Sequence, residues 1–174
     1  MQILSLLLSL SAVFLLQAAS GANPPKPPKP EVPFSRSWGD NYAWNDCSLG
    51  RDDLVRKSKE MNKPVMWILF WQTGCDACYH LQGSLKNHNE VQRLSQNFLL
   101  VNCKGDEIPD DADFYLDGEY SPKIVFTDVQ GQVRPEYFNK RGKPEFKYYY
   151  VDGPQLEPSM REAAVGMLGK KAEL

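Results

Sequence analysis

Val65–Trp71, "VMWILFW", constrains this chain more than any other stretch. It is an unbroken apolar run of strand length, and the missing alternation marks a strand buried on both faces. Such a strand needs partner strands beside it and helices above and below. Directly after it, "TGCDACYHL" places Cys75 and Cys78 at the start of a helical pattern running from about Cys75 to Lys86. A C-x-x-C serves as a zinc clamp, a structural bridge or a reactive dithiol, and the spacing alone leaves all three open.

The surrounding pattern mixes helices and strands. "SLGRDDLVRKSKEM", Ser48 to Met61, suits a short helix with Ser48 or Asp46 as cap and acids in its first turn, ended by Pro64. "NEVQRLSQ" continues helical to about Gln96, and "FLLVNC", Phe98 to Cys103, reads as a second buried strand. An acid-rich loop, Lys104 to Glu119, leads to the strand "KIVFT" and a turn at Gly131. "QVRPEYF" is expected to form the next strand, pushed to an edge by Pro135. "FKYYYV", Phe146 to Val151, extends either strand or loop; it is read as a strand with one buried face, or as an aromatic edge for a partner polypeptide. A last helix runs from about Pro154 to Leu168, with Pro158 in its first turns. This order predicts a single α/β domain, a central mixed β-sheet flanked by helices on both faces.

The ends say where such a domain goes. Ile3–Leu16 is an uncharged apolar run followed by the small residues Ala18 to Ala22. Its length and flank are those of a secretory signal peptide, expected over residues 1–21 and cleaved between Ala19 and Ala22. A membrane span takes roughly 20 apolar residues, so none is expected here or elsewhere in the chain. Residues 22–33 hold the repeated prolines of "NPPKPPKPEVP", a stiff polyproline linker, and the domain proper occupies 34–170. The tail over 171–174, "KAEL", resembles the K-D-E-L retrieval address with Ala172 in place of Asp. Leader and tail together predict a soluble protein of the endoplasmic reticulum lumen, engaged by a retrieval receptor through Lys171–Leu174, with secretion as the alternative. In that oxidising compartment the four cysteines are free to form disulfides.

Composition narrows the partners. Removing the leader leaves about 150 residues, enough for one core but not two. A net charge of −2 with no long run of one sign argues for no nucleic-acid partner. Asp106, Glu107, Asp110, Asp111 and Asp113 lack the ordered ligand spacing of a calcium loop. Structural zinc usually takes two close ligand pairs, and Cys47, Cys103, His80 and His88 form no second C-x-x-C. His80 and His88 are expected to be exposed helix residues.

A C-x-x-C at a strand–helix junction in this α/β setting favours the dithiol. At a helix N-terminus the first N–H groups lack intrahelical partners, and the macrodipole offers partial positive charge. A Cys75 thiolate accepts those donors, which lowers its pKa below the free value of about 8.5. Cys75 is therefore the expected nucleophile and Cys78, one turn further in, the resolving thiol. Asp76 opposes this: at roughly 6 Å and an effective dielectric of about 40, its charge repels the thiolate by about 1.4 kcal/mol. Asp76 as a solvated acid that merely suits the helix start is the competing reading.

Taken together, "WGDNYAW", "KPVMWILFWQTGCDACYHL", "LSQNFLLVNC", "DFYLDGEYSPKIVFTDVQGQV", "GKPEFKYYYV" and the KAEL end resemble the thioredoxin domain-containing proteins of the endoplasmic reticulum. The small single-domain members come nearest, with the anterior gradient proteins as cousins. The resemblance implies a thioredoxin fold and thiol–disulfide exchange on secretory-pathway client proteins, without a bound cofactor and with glutathione or other dithiols as exchange partners. It implies catalytic roles for Cys75 and Cys78, and client contacts at Gly74, Asp76, Ala77, Ser121 and Pro122. The last of these falls where the family has a cis-proline against the dithiol. An anterior gradient-type chaperone or secreted factor, binding clients without full turnover, is the alternative.

Three positions depart from the family pattern. Gly74 stands where thioredoxins carry Trp, although Trp71 keeps the more distant aromatic. Leu69 occupies the position of the buried acid that helps deprotonate the resolving thiol. Cys103 ends a strand where relatives usually have no cysteine. In the expected topology Cys47 and Cys103 lie at the same end of the sheet, near the dithiol. They form a second disulfide, a relay for the first, or two separate free thiols.

Overall fold

The computed structural model describes residues 38–39, 41–71, 74–169 and 172. The expected signal peptide and proline-rich linker lie outside the described residues, as does the tail apart from Ala172. Four strands form one sheet in the order β1-β3-β2-β4. These are β1 (Trp44–Asp46), β2 (Val65–Phe70), β3 (Leu99–Lys104) and β4 (Lys123–Thr127). β3 runs parallel to both β1 and β2, and β4 runs antiparallel to β2. Among the described residues four α-helices accompany them: α1 (Arg51–Met61), α2 (Asp76–Lys86), α3 (Asn89–Ser95) and α4 (Gly153–Leu168).

The apolar run of β2 explains the layering. Every residue from Val65 to Phe70 is buried. Met66, Ile68 and Phe70 pack with Leu81 and Leu85 of α2, Val91 and Leu94 of α3, and Leu156 and Met160 of α4. Val65, Trp67 and Leu69 point the other way, against Leu54 of α1, Phe114 and Tyr148. Burying each such side chain contributes about 1.5–3 kcal/mol, so a strand apolar on both faces draws helices to both. Its one polar atom is satisfied: the Trp67 indole N–H donates to Thr127 Oγ1 at 3.1 Å. The mixed sheet with helices on both faces is the single-domain α/β arrangement that the residue pattern predicts and the thioredoxin-like fold that the resemblance implies.

Four elements differ from expectation. The first helix is interrupted: Cys47–Leu49 make a 3-10 turn capped by Asp46, and Gly50 at φ 83° separates it from α1. "QVRPEYF" is not a strand. Val133 forms a single bridge to Thr127 and the Arg134 N–H reaches Phe126 O at 2.8 Å, but Pro135 has no N–H to continue the ladder. "FKYYYV" is loop rather than strand. Phe146 and Tyr149 close successive turns, and only Tyr148 O meets the sheet, accepting from the Ile124 N–H at 2.9 Å. The short edge strand β1 was not foreseen, because three residues are too few for a periodic signal.

Candidate functional site

The end of β2 delivers the chain into the C-x-x-C. Gly74 sits at φ 71°, a left-handed conformation that strains any side chain, and a Cβ placed there meets nothing within 4 Å. This is the physical account of the missing tryptophan: the backbone conformation, not crowding, asks for glycine. Cys75 then caps α2 with extended backbone (φ −79°, ψ 98°), and its sulfur accepts the Cys78 N–H at 3.1 Å. The bond satisfies one of the helix's unpaired N-terminal donors. Cys75 and Cys78 are joined as a disulfide with Cα atoms 5.2 Å apart. The two sulfurs are not equivalent: Cys75 keeps 7% of its surface exposed and Cys78 none. Asp76 is exposed beside them, and Ala77 is half-buried against the core.

The loop before β4 meets the end of β2, from which the chain runs to the pair. The Ser121–Pro122 bond is cis, and Pro122 is buried. Antiparallel register sets Leu69 against Lys123, which brings Pro122 level with the Phe70 end of β2. Ser121 Oγ accepts the Trp71 N–H at 2.8 Å, stitching this loop to the segment that leads into Gly74. The residues expected to contact a client thus lie on the two chain segments that meet at the C-terminal end of β2.

Cys47 and Cys103 are bonded to each other, with Cα atoms 4.8 Å apart across 56 residues of sequence. This settles the choice between bridge and free thiols. Their surroundings exclude a direct relay: Cys47 and Cys103 lie in the cluster with Leu54, Leu69 and Phe114, while Cys75 and Cys78 lie in the cluster with Phe70 and Leu81. The sheet separates the two bridges. His80 is exposed, whereas His88 is half-buried and caps α3, its Nδ1 accepting the Val91 N–H at 3.2 Å.

Sequence reasoning missed a buried cation. Lys123 is fully buried directly after Pro122, and its Nζ lies 3.1 Å from Asp117 and 2.6 Å from Gly118 O. The Tyr120 ring lies 4.7 Å from it, with Trp71 and Tyr148 near 6 Å. Burial pulls the Lys123 pKa down, and the hydrogen bond and charge of Asp117 oppose it. Burial likewise pushes the Tyr120 phenol well above its usual range, and the bond to Asp117 adds to the rise. In "KIVFT" the lysine shares strand parity with Val125 and Thr127, the more polar face by sequence, and its burial follows only because both faces of β4 are covered. Leu69, at the place of the family's acid, lies between Cys103 and Lys123 in register.

No protein-family model matches the chain. Curated proteins do. Anterior gradient protein 2-B of Xenopus laevis is 31% identical over 161 residues, spanning 90% of this chain and 94% of the relative. Anterior gradient protein 2 homolog of Mus musculus is 30% identical, spanning 89% and 93% of the two chains. Among solved structures, a disulphide isomerase from Xylella fastidiosa Temecula1 aligns over 83% of this chain at 17% identity with a TM-score of 0.41.

Proposed function

From the premise that this chain belongs to the anterior gradient protein family, we propose that it captures client polypeptides of the secretory pathway covalently through Cys75. In the reduced protein the Cys75 thiolate attacks a client disulfide. A new S–S bond joins Cys75 to the client, and the client's second sulfur leaves as thiolate. Starting from the bonded pair, a client thiolate attacks Cys75 Sγ and Cys78 leaves as the thiolate, giving the same mixed disulfide. Release follows when Cys78 attacks Cys75 Sγ, which oxidises the protein pair and reduces the client by two electrons. When a second client thiolate attacks the client sulfur instead, the client is oxidised and Cys75 regains its thiolate.

The observation that carries capture over rapid turnover is Leu69. Fully buried, it offers no carboxylate to take the proton from the sheltered Cys78. Cys78 is therefore a slow resolving thiol, and the mixed disulfide lives long. The expected leader, the KAEL tail and membership of the family support a site of action in the endoplasmic reticulum lumen or along the secretory route. Glutathione is the small-molecule exchange partner.

A second reading, a turnover protein-disulfide oxidoreductase, is favoured by the Cys75–Cys78 bond, because an intact pair is what lets a client leave. Client trapping separates the two. If capture dominates, the parent chain accumulates covalent complexes with clients and turns over peptide disulfides slowly, while Cys75→Ser traps nothing. If turnover dominates, only Cys78→Ser accumulates complexes and the parent cycles freely. Absence of complexes from the parent and from Cys78→Ser, together with no turnover, overturns both.

A further inference from the structure

We propose that the cleft beside the Ser121–Pro122 loop is a client subsite for an aromatic side chain flanked by acidic residues. The inference rests on the client-binding reading above and names what that client presents. The cleft encloses about 550 Å³. Its walls are the rings of Tyr120, Phe146 and Tyr149, and its rim carries Arg141, Lys143 and Gln155.

The aromatic walls are open to a guest. Phe146 is 44% exposed, one of few large apolar side chains so placed. The Phe146 ring meets Tyr120 edge-on at 5.1 Å and 77°, and Tyr149 meets Tyr120 at 6.3 Å and 68°. A further ring entering the cleft extends this edge-to-face packing.

The rim selects charge. Among the described residues, Arg51, Arg56, Arg93, Arg134 and Arg161 each pair with a carboxylate. Arg141 does not: its guanidinium reaches only Pro154 O, at 3.5 Å. Lys143, exposed beside it, has no carboxylate partner among the described residues either. Two unpaired cations at the mouth of an aromatic cleft favour carboxylates next to the inserted ring and repel lysines there.

Buried Asn139 holds the cleft in shape. Its Oδ1 accepts the Arg141 N–H at 3.1 Å, and its Nδ2 donates to Tyr149 O at 2.7 Å and to Gln155 Oε1 at 3.0 Å. One side chain therefore positions three lining residues in advance, which cuts the ordering cost of binding. Tyr120 continues into Ser121 and Pro122, and Ser121 Oγ accepts the Trp71 N–H from the end of β2, so the cleft adjoins the loop expected to contact a client.

The probe is a capped peptide without cysteine, carrying a tyrosine flanked by glutamates, with binding read by fluorescence anisotropy. Arg141→Glu combined with Lys143→Glu is expected to weaken it by about tenfold or more, and added salt to weaken binding to the parent. Phe146→Ala is expected to cost about threefold or more. A lysine-flanked version should prefer the charge-reversed protein, which guards against loss through misfolding. Equal binding by the parent and the charge-reversed protein overturns the subsite, as does equal binding of a serine-for-tyrosine peptide. Reaction of Cys75 with a small aromatic disulfide is scored in parallel. Normal Cys75 reactivity with no peptide preference sinks the subsite alone, whereas an inert Cys75 with the peptide preference intact sinks the capture chemistry and supports the subsite.

Discussion

The Lys123 ammonium lies 3.1 Å from the Asp117 carboxylate, beneath the loop that carries Ser121 and Pro122. Removing one partner of a buried pair is costly because the other charge is left without compensation. Asp117→Asn should therefore destabilise the fold by up to about 3 kcal/mol, because it strands a fully buried ammonium. Lys123→Met should cost markedly less, because the Asp117 side chain is 17% exposed and keeps the Tyr120 hydroxyl and the Lys147 N–H as donors. Urea denaturation of the two variants checks the order, and a larger loss for Lys123→Met contradicts it.

The bridge between Cys47 and Cys103 closes a loop of 56 residues, joining the turn before α1 to β3. Loop-closure entropy assigns it about 4 kcal/mol. Replacing both cysteines with alanine should lower stability by that order while leaving Cys75 as reactive toward alkylating agents as in the parent. Altered Cys75 reactivity in the double variant would mean that the two bridges communicate through the sheet.

Asp76 stands exposed next to the capping sulfur. Neutralising it removes a repulsion of about 1.4 kcal/mol, an effect of up to about tenfold on the thiolate population. Asp76→Asn is expected to speed alkylation of reduced Cys75 several-fold at mildly acidic pH. An unchanged rate leaves Asp76 as a solvated helix-start acid.

Glu90 ties α3 to α4. Its carboxylate meets Arg93 of its own helix at 3.0 Å and also pairs with Arg161. The hydrogen bond from Arg93 foremost, with Arg161, holds its pKa down to about 2 from 4.5. A carboxyl whose folded pKa is depressed stabilises the fold above its unfolded value and loses that contribution as pH falls through its folded value. The thermal midpoint of the parent should thus fall more steeply between pH 4.5 and about 2 than that of Glu90→Gln. Parallel curves would remove Glu90 from the acid response.

Much of the frame was legible along the chain. β2 announced itself because a strand buried on both faces has no polar alternation, and the C-x-x-C helix because a capping residue and its period are local. The loop after β4 was less legible. "QVRPEYF" has strand composition, yet Pro135 removes the donor that would continue pairing beyond Arg134. "FKYYYV" has it too, but its residues take their hydrogen bonds in turns and at the edge of β4.

The amino-acid order alone determined the buried central strand, the C-x-x-C at a helix start and the α/β layering, since each follows from local periodicity, capping and burial. Only the folded chain decided that Cys47 meets Cys103 across the sheet from the Cys75–Cys78 pair. It also decided that Lys123 is paired inside with Asp117, and that Arg141 and Lys143 line an aromatic cleft with no carboxylate partner among the described residues. These depend on which distant residues come within a few ångströms of one another. That is set by packing and register between elements, for which no single stretch of sequence carries a period.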